Sequence, residues 1–406
     1  MTVTRKTFLK NMAGLAVAGG LSWPAGSRFF EAREAAGGPS RRTRIVDAEF
    51  TPFDMPLKQI FRTALGAESV ESEVLVRLRT ADGLTGWGEA SPYWAVTSET
   101  QATNLALAKD LTAFVRDRDP FTVARILAEM DAYSPGNPSI KAAFEMAVWD
   151  LCGKIAGQPV YRLLGGYRDS FETDATVGLD EPATMAEGAR QIAGQGFKSI
   201  KVKVGEGPEK DIERVAAVRE AAGAAVEIRI DGNQGWSPSD AIRALRGMEK
   251  YRLQLCEQPV PYWDWEGLKH VRENTSVPIM ADESVHSPHD AITAARMEAV
   301  DMINIKLMKS GGILPGLRIA EIAGAAGMKC MVGCMGETRL ALTAGAHLVA
   351  AGPSIVFADL DSALLHAEDP VVGGMQIKDG TVHLPDAPGL GLDIDPGFLS
   401  RLRKWN

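Results

Sequence analysis

The sequence predicts an α/β chain: a (β/α)8-type barrel of about 200 residues, preceded by a small α+β domain and followed by a short tail. Three observations carry this. From residue 172 onward, short β-rich runs alternate with Ala-rich amphipathic stretches. The step between successive runs is even: Lys203 to Asp231 is 28 residues, Asp231 to Glu257 is 26, Glu257 to Asp282 is 25 and Asp282 to Lys306 is 24. Polar residues close several of the runs, which is where a barrel carries its chemistry. A doubly wound open sheet would also alternate, but eight even steps favour closure.

Each element follows in order. Residues 43–53 (TRIVDAEFTPF) and 72–79 (SEVLVRLR) alternate like half-buried strands. Asp82-Gly83 marks a hairpin into Gly86-Trp87-Gly88-Glu89. Helical periodicity covers about 99–116, 121–131 and 138–156. The barrel runs are Ala175 to Val177, Ile200 to Val204, Val226 to Asp231, Leu253 to Glu257, Ile279 to Asp282, Met302 to Lys306, Lys329 to Val332 and Val356 to Asp359. The tail, 372–406, loses the βα spacing and carries strand signals at Met375-Gln376-Ile377 and Thr381-Val382-His383. It is expected to pack back on the first domain.

Composition excludes several classes. The 406 residues are 45% hydrophobic and 24% charged, ordinary for a globular protein. That excludes a largely disordered chain, a collagen and a small disulfide scaffold. With 44 Lys+Arg against 52 Asp+Glu, the net charge is −8, and no basic excess for nucleic acid is visible. No apolar run is long enough to span a bilayer. Cys152, Cys256, Cys330 and Cys334 have no C-x-x-C spacing and are expected as buried free thiols, with a Cys330–Cys334 bridge as the alternative. The sequence does not set the oligomeric state, and a homo-oligomer is compatible with it.

Residues 1–40 read as an export leader. Thr4-Arg5-Lys6-Thr7-Phe8-Leu9-Lys10 is followed by small and apolar residues from Ala13 to Leu21, then a Gly/Pro/Ser exit. The phrase is similar to a twin-arginine signal, with Lys6 in place of the second arginine. The expected location is periplasmic; the alternative is an extension on a cytoplasmic protein.

The run ends hold an unusual set: Lys201-Val202-Lys203, Asp231-Gly232-Asn233, Glu257, Asp282 and Lys306. Lys201 and Lys203, at i and i+2, share one strand face. Two adjacent cations disfavour each other's protonation, so at least one lysine is expected as a base near neutral pH. Asp231, Glu257 and Asp282 on three consecutive strands would repel unless a cation sits between them. Three oxygen ligands without His or Cys suit Mg²⁺ or Mn²⁺. Lys306, on the next strand, approaches from the side opposite Lys203. Two opposed bases about a metal-bound carboxylate suit removal of an α-proton, an enediolate, and return of a proton to the other face.

These residues resemble the enolase superfamily, in its muconate-lactonising-enzyme-like subgroup. The likeness covers about 43–400. It includes Lys201-x-Lys203, Asp231-x-Asn233 with Trp236, Glu257-Gln258-Pro259, Asp282-Glu283-Ser284, and Asn304-Ile305-Lys306 running into Gly311-Gly312. It also includes Gly86-Trp87-Gly88-Glu89, Ala147-Val148-Trp149-Asp150-Leu151 and Pro388-Gly389-Leu390-Gly391. The resemblance implies a (β/α)7β TIM-like barrel over 170–368, under an α+β capping domain built from 43–165 and the return of 369–406. It implies Mg²⁺ on Asp231, Glu257 and Asp282, catalytic bases at Lys203 and Lys306, and Lys201 as a supporting cation. Asp359-Leu360-Asp361, at the last strand's end, looks like the Asp-x-Asp motif that holds the free amino group in dipeptide epimerases. The bland alternative there is a helix cap plus a surface acid. A dipeptide is therefore the expected partner. Rival reactions on the same site are N-acyl amino acid racemisation, o-succinylbenzoate synthesis and muconate-type cycloisomerisation. A binding module on an inactive barrel is the rival of another class. In this family a cap loop, here about Phe61 to Glu68, closes over the second side chain. L-Ala-D/L-Glu epimerases carry an arginine where Gly66 stands, so Leu65, Gly66 and Ala67 point to a neutral or hydrophobic side chain, while Arg62 is the candidate for an acidic one.

Overall fold

The computed structural model describes residues 41–402. The expected leader and the last four residues lie outside the described residues. Three antiparallel strands begin the described chain: β1 (Ile45–Thr63), β2 (Gly66–Thr80) and β3 (Thr85–Ala90). The turn before β3 places Gly83 at φ +92°, a conformation that glycine adopts without Cβ strain. Helices Gln101–Val115, Val123–Tyr133 and Pro138–Ala156 cover the sheet, and Val74, Val76, Leu78, Leu111, Phe144 and Val148 meet in the core between them.

The stretch expected as a cap loop is not a loop. β1 and β2 continue past the small domain as a ribbon, with Phe61 opposite Glu68 and Thr63 opposite Gly66, closed by a two-residue turn at Ala64-Leu65. The irregularity falls between Pro56 and Phe61, where Pro56 has no N–H to donate. The ribbon is tied to the barrel: Lys58 N–H donates to Leu365 O (2.8 Å), and Leu179 N–H donates to Arg62 O (2.8 Å).

A short strand, β4 (Ser170–Glu172), leads into eight parallel strands. These are β5 (Ala175–Val177), β6 (Ser199–Lys203), β7 (Glu227–Asp231), β8 (Leu253–Glu257), β9 (Ile279–Ala281), β10 (Met302–Lys306), β11 (Lys329–Gly333) and β12 (Ile355–Ala358). Each pairs with the next in order. The sheet curls until its ends meet, with Asp174 N–H on Ala358 O (3.3 Å) and Thr176 N–H on Asp361 Oδ2 (2.6 Å). The Arg229 guanidinium staples the same seam, at 2.7 Å from Asp174 Oδ2 and 3.2 Å from Ala358 O. Seven helical connections link the strands, and β12 is followed only by a 3₁₀ turn, Ser362–Leu364, so the architecture is (β/α)7β. Leu255, Met280 and Met331 fill the lumen, while the larger core lies between strands and helices.

The tail divides. β13 (Val371–Gly373) pairs with β16 (Leu392–Ile394), and Trp87 Nε1 donates to Asp393 Oδ1 (2.7 Å), which joins this part to the small domain. The hairpin of β14 (Gln376–Lys378) and β15 (Thr381–His383) instead adds to β4, at the end of the barrel where the strands begin. All four cysteines are free and buried, so the Cys330–Cys334 bridge does not form. Among the described residues, no helix is long and apolar enough to cross a membrane.

Three buried acids join the small domain to the barrel and tail, and two of them, Glu89 and Asp150, belong to motifs quoted above. Glu89 accepts from Thr338 N–H (2.7 Å), Thr338 Oγ1 (2.7 Å) and Ala341 N–H (3.0 Å), at the start of helix Arg339–Ala351. Glu145 accepts from Ile313 N–H and Leu314 N–H (both 2.8 Å), at the start of helix Ile313–Ala325. A carboxylate at a helix N-terminus satisfies otherwise unpaired donors and suits the helix dipole. A Cβ at Gly312 would lie 2.4 Å from Glu145 Oε2, so the second glycine of Gly311-Gly312 makes room for this cap. Asp150 accepts from Trp87 N–H (3.0 Å) and Leu390 N–H (2.8 Å) and pairs with Lys154 (2.7 Å). It ties sheet, helix and tail at one carboxylate. Asp150→Ala strands these buried donors and is expected to cost about 3–5 kcal/mol. Urea unfolding followed by circular dichroism checks it; a loss below about 1 kcal/mol would show that this junction carries little.

Candidate active site

The barrel register sets the site. Lys203 lies opposite Asp231, and Asp231 opposite Glu257, so three strand ends reach the same level. Asp282 follows β9 directly, and Lys306 ends β10. Lys203 and Lys306 stand on the second and sixth of eight strands, half a turn apart around the mouth. Asp231, Glu257 and Asp282 occupy the arc between them, and Asp359 and Asp361 the other arc, just past β12.

The Lys201 ammonium, only 2% exposed, lies 2.7 Å from Asp359 Oδ2, 2.9 Å from Glu257 Oε2 and 3.1 Å from Asp231 Oδ2. Burial alone would lower its pKa, but Asp359, Glu257 and Asp231 raise it well above the usual lysine value. Lys201 therefore stays a cation. Lys203 Nζ lies 2.7 Å from Asp231 Oδ2 and donates to Asn233 Oδ1 (3.1 Å). Lys306 Nζ lies 2.9 Å from Asp282 Oδ2. Burial opposes protonation of Lys306, yet Asp282 outweighs it and raises the pKa.

The other oxygens of the acidic arc are held by fixed donors. Asp231 Oδ1 accepts from Asn233 N–H (2.9 Å), and Glu257 Oε1 from Asn304 Nδ2 (2.7 Å). Asp282 Oδ1 lies 2.6 Å from Lys309 Nζ, which also donates to the carbonyls of Asp282, Val285 and Asn304. The Gln258 side chain locks the following loop, accepting from Asp282 N–H (2.9 Å) and donating to Ser284 Oγ (2.9 Å). Glu257 Oε2 and both Asp282 carboxylate oxygens are buried without a hydrogen bond and meet only ammonium groups. Three hard oxygen donors, each fixed on one side and turned towards cations on the other, fit a Mg²⁺-type ion. Among the described residues, a tighter cluster of ligand atoms, within 4.8 Å of one another, is Cys334, Asp359 and Asp361.

Asp359 and Asp361 are both buried, which removes the reading of a cap plus a surface acid. Neither is free. Asp359 gives Oδ2 to Lys201, while its Oδ1 is buried without a partner. Asp361 spends Oδ2 on Thr176 N–H, and its Oδ1 lies 3.8 Å from Cys334 Sγ. Burial and the Asp359 charge raise the Asp361 carboxyl to about 6. Beside these acids is a cavity of about 400 Å³ that also exposes Lys201 and Lys203. It shares Phe61, Glu71, Lys203 and Met335 with a second cavity of about 580 Å³, where Lys306, Asn233, Glu283 and the ribbon tip form the walls. Both lysines thus face one space.

Gly66 lines that space, as expected, but Arg62 does not. Alternate residues of a strand point to opposite faces. Phe61 and Thr63 face the lysines, and Arg62 is exposed in the neighbouring groove with Lys58 and Gln191. Sequence reading missed Lys309, Asn304, Glu71 and Arg229. Lys309 had a visible signal, being a second lysine three residues after Lys306, with Leu307 and Met308 between them.

Residues 45–165 match the mandelate racemase / muconate lactonizing enzyme N-terminal domain, and 184–398 match the enolase C-terminal domain-like family. The chain belongs to the enolase superfamily. Within that superfamily, the L-Ala-D/L-Glu epimerase of Clostridium acetobutylicum is 41% identical over 352 residues, covering 86% of this chain and 98% of the relative. The hydrophobic dipeptide epimerase of Enterococcus faecalis is 42% identical over 338 residues, covering 83% and 96%. The solved structure of the Enterococcus faecalis dipeptide epimerase, complexed with Mg and the dipeptide L-Leu-L-Tyr, superposes with a TM-score of 0.85 at 41% identity, covering 86% of this chain and 99% of that one.

The buried acids around the site set a pH dependence. Burial, then a neighbouring carboxylate, raises Glu71 and Glu257 to about 7 and Glu283 to about 8; burial raises Glu337 to about 8, with Glu89 adding to it. Each holds its proton more tightly folded than unfolded. Its stabilising contribution is full below the unfolded value of 4.5 and is lost as pH rises through 7 to 8. Asp231, Asp282 and Asp359 are lowered, and they lose their contribution only below the ordinary carboxylate range. The metal-free protein is expected to resist urea better at about pH 5.5 than at about pH 8.5. A higher urea midpoint at the alkaline pH would contradict the assigned burial.

Proposed function

We propose that this chain is a Mg²⁺-dependent dipeptide epimerase. The observation that carries the proposal is a pair of lysines, Lys203 and Lys306, on strands half a turn apart and facing one cavity, with two buried acids, Asp359 and Asp361, in the adjoining cavity that Lys203 also lines. Asp231, Glu257 and Asp282 would hold the ion, which when bound supplies a Lewis acid to the negative charge that grows on the substrate carboxylate.

The chain's own residues do the rest. The unpartnered Asp359 Oδ1 and the Asp361 Oδ1 take the substrate's α-ammonium, since two carboxylates suit a charge-assisted donor. Held at both ends, the C-terminal residue presents its α-carbon between Lys203 and Lys306. One lysine, neutral, takes the α-proton. The resulting enediolate is planar at the α-carbon. The other lysine, as ammonium, returns a proton to the opposite face and inverts the centre. Lys201 stays charged throughout, keeping Asp359 ionised for the ammonium. The ribbon tip covers this space and limits water, which strengthens these interactions.

The family resemblance and the Enterococcus faecalis complex with Mg and L-Leu-L-Tyr support the substrate class. A panel of L,L dipeptides incubated in D₂O with Mg²⁺ should show one deuterium at the α-carbon of the second residue, read by mass spectrometry. Asp361→Ala should reduce turnover of dipeptides by about 100-fold while affecting N-acyl amino acids far less. No deuterium uptake with any dipeptide, or equal loss for both substrate classes, would overturn the reading.

A further inference from the structure

The cavity that holds Lys203 and Lys306 carries acidic residues beyond those the reaction uses. Glu68 and Glu71, from the inner edge of β2, line it together with Glu283. Apart from Lys203 and Lys306, no Lys, Arg or His lines it. Among the described residues, neither Glu68 nor Glu71 has an ion-pair or hydrogen-bond partner; Glu71 is raised to about 7 by burial and then by Glu68. Glu283 gives Oε1 to Asn233 Nδ2 (3.1 Å), while its Oε2 is buried without a partner. Both Glu68 and Glu71 act on the Tyr93 hydroxyl, which lies 3.6 Å from where a Cβ at Gly66 would stand. The acids therefore gather at the ribbon-tip end of the cavity. Phe61, Leu65, Val96 and Met335 supply the apolar part of its wall, beside Thr63, Tyr93 and Asn233.

Apolar side chains beside the unpartnered acids Glu68 and Glu71 match one kind of side chain, an alkyl stem ending in a cation. We propose that the residue this protein epimerises carries a cationic side chain, lysine- or arginine-like, with its stem along Phe61, Leu65, Val96 and Met335 and its charge on Glu68 and Glu71. This rests on the dipeptide epimerase reading and deepens it. It also changes what Leu65-Gly66-Ala67 implied: the small tip leaves space, and the acids behind it decide the charge. An acidic second residue finds no counter-ion beside Glu68 and Glu71, and meets acids instead.

Three dipeptides separate the terms: L-Ala-L-Lys, L-Ala-L-norleucine, which has the same reach without the charge, and L-Ala-L-Glu. α-Deuterium uptake with Mg²⁺ should give a kcat/KM for the lysine dipeptide at least about tenfold above norleucine, with the difference mainly in KM and the glutamate dipeptide slowest. Raising the salt should shrink the lysine advantage. In E68Q/E71Q the lysine-to-norleucine ratio should fall to near one. The wild-type ratio needs no variant, so a misfolded double mutant does not spoil the test. A norleucine dipeptide that equals or beats the lysine dipeptide in the wild-type protein overturns the inference. So does exchange with other members of the wider panel but with none of these three. Exchange with no dipeptide at all overturns the epimerase reading as well.

Discussion

The ammonium of Lys201 is the constraint on which the site depends. It is almost wholly buried, and it meets carboxylates from β7, β8 and the segment after β12. Stripping water from any one of these charges costs several kcal/mol, and only close opposite charge offsets it. The lumen beneath is Leu255, Met280 and Met331, which offer no compensation. Lys201 therefore holds the acidic arc and the Asp359 arc in one charge-balanced layer. Above that layer, Lys203 and Lys306 stay at the mouth, each beside a single carboxylate. Arg229 repeats the device one level down, pairing with Asp174 across the barrel seam.

The capping domain and barrel form the site jointly. Glu89 and Glu145 end on the backbone N–H groups of two barrel helices, so the sheet that bears the ribbon is oriented by the barrel it covers. The ribbon then delivers Phe61, Leu65, Glu68 and Glu71 to the lysines. Chemistry comes from strand ends and selectivity from the ribbon, with the Glu71 position belonging to both cavities. Substitutions at the ribbon tip can alter which side chain is accepted while leaving the charge layer around Lys201 in place.

Much of this was legible in the sequence because it is local. Leu253–Glu257, Met302–Lys306 and Pro138–Ala156 keep the predicted bounds, since short alternating runs with polar ends and an uninterrupted helical period need no distant partner. The even spacing of Lys203, Asp231, Glu257, Asp282 and Lys306 likewise foretold one level of one barrel. What stayed hidden is set by distant contacts. β13 and β16 pair across an intervening hairpin. The ribbon looked like a loop because its outer half is held by its own strand pairing and by contacts from distant segments, such as Leu179 N–H on Arg62 O. Arg62 sits one residue out of phase with Phe61 and Thr63, and strand phase near a bulge is not readable from composition. The carboxylate partners of Lys201 could not be read from the sequence because they come from three separate segments, while Lys203 was visible two residues away. The recurring Gly-Trp-Gly-Glu and Trp-Asp-Leu motifs marked the family in the sequence; only the structure explains them, as carboxylates that terminate on another unit's backbone.

The central claim is that Lys203 and Lys306 serve opposite faces of one α-carbon. The direct measurement takes both stereoisomers, at the second residue, of a dipeptide that the wild-type protein epimerises, and follows α-deuterium uptake in D₂O with Mg²⁺ in Lys203→Ala and in Lys306→Ala. The account predicts that neither variant inverts the centre, that each exchanges at most one isomer, and that any isomer exchanged by one variant is silent in the other. Inversion by either variant, or exchange of both isomers by one of them, would contradict it.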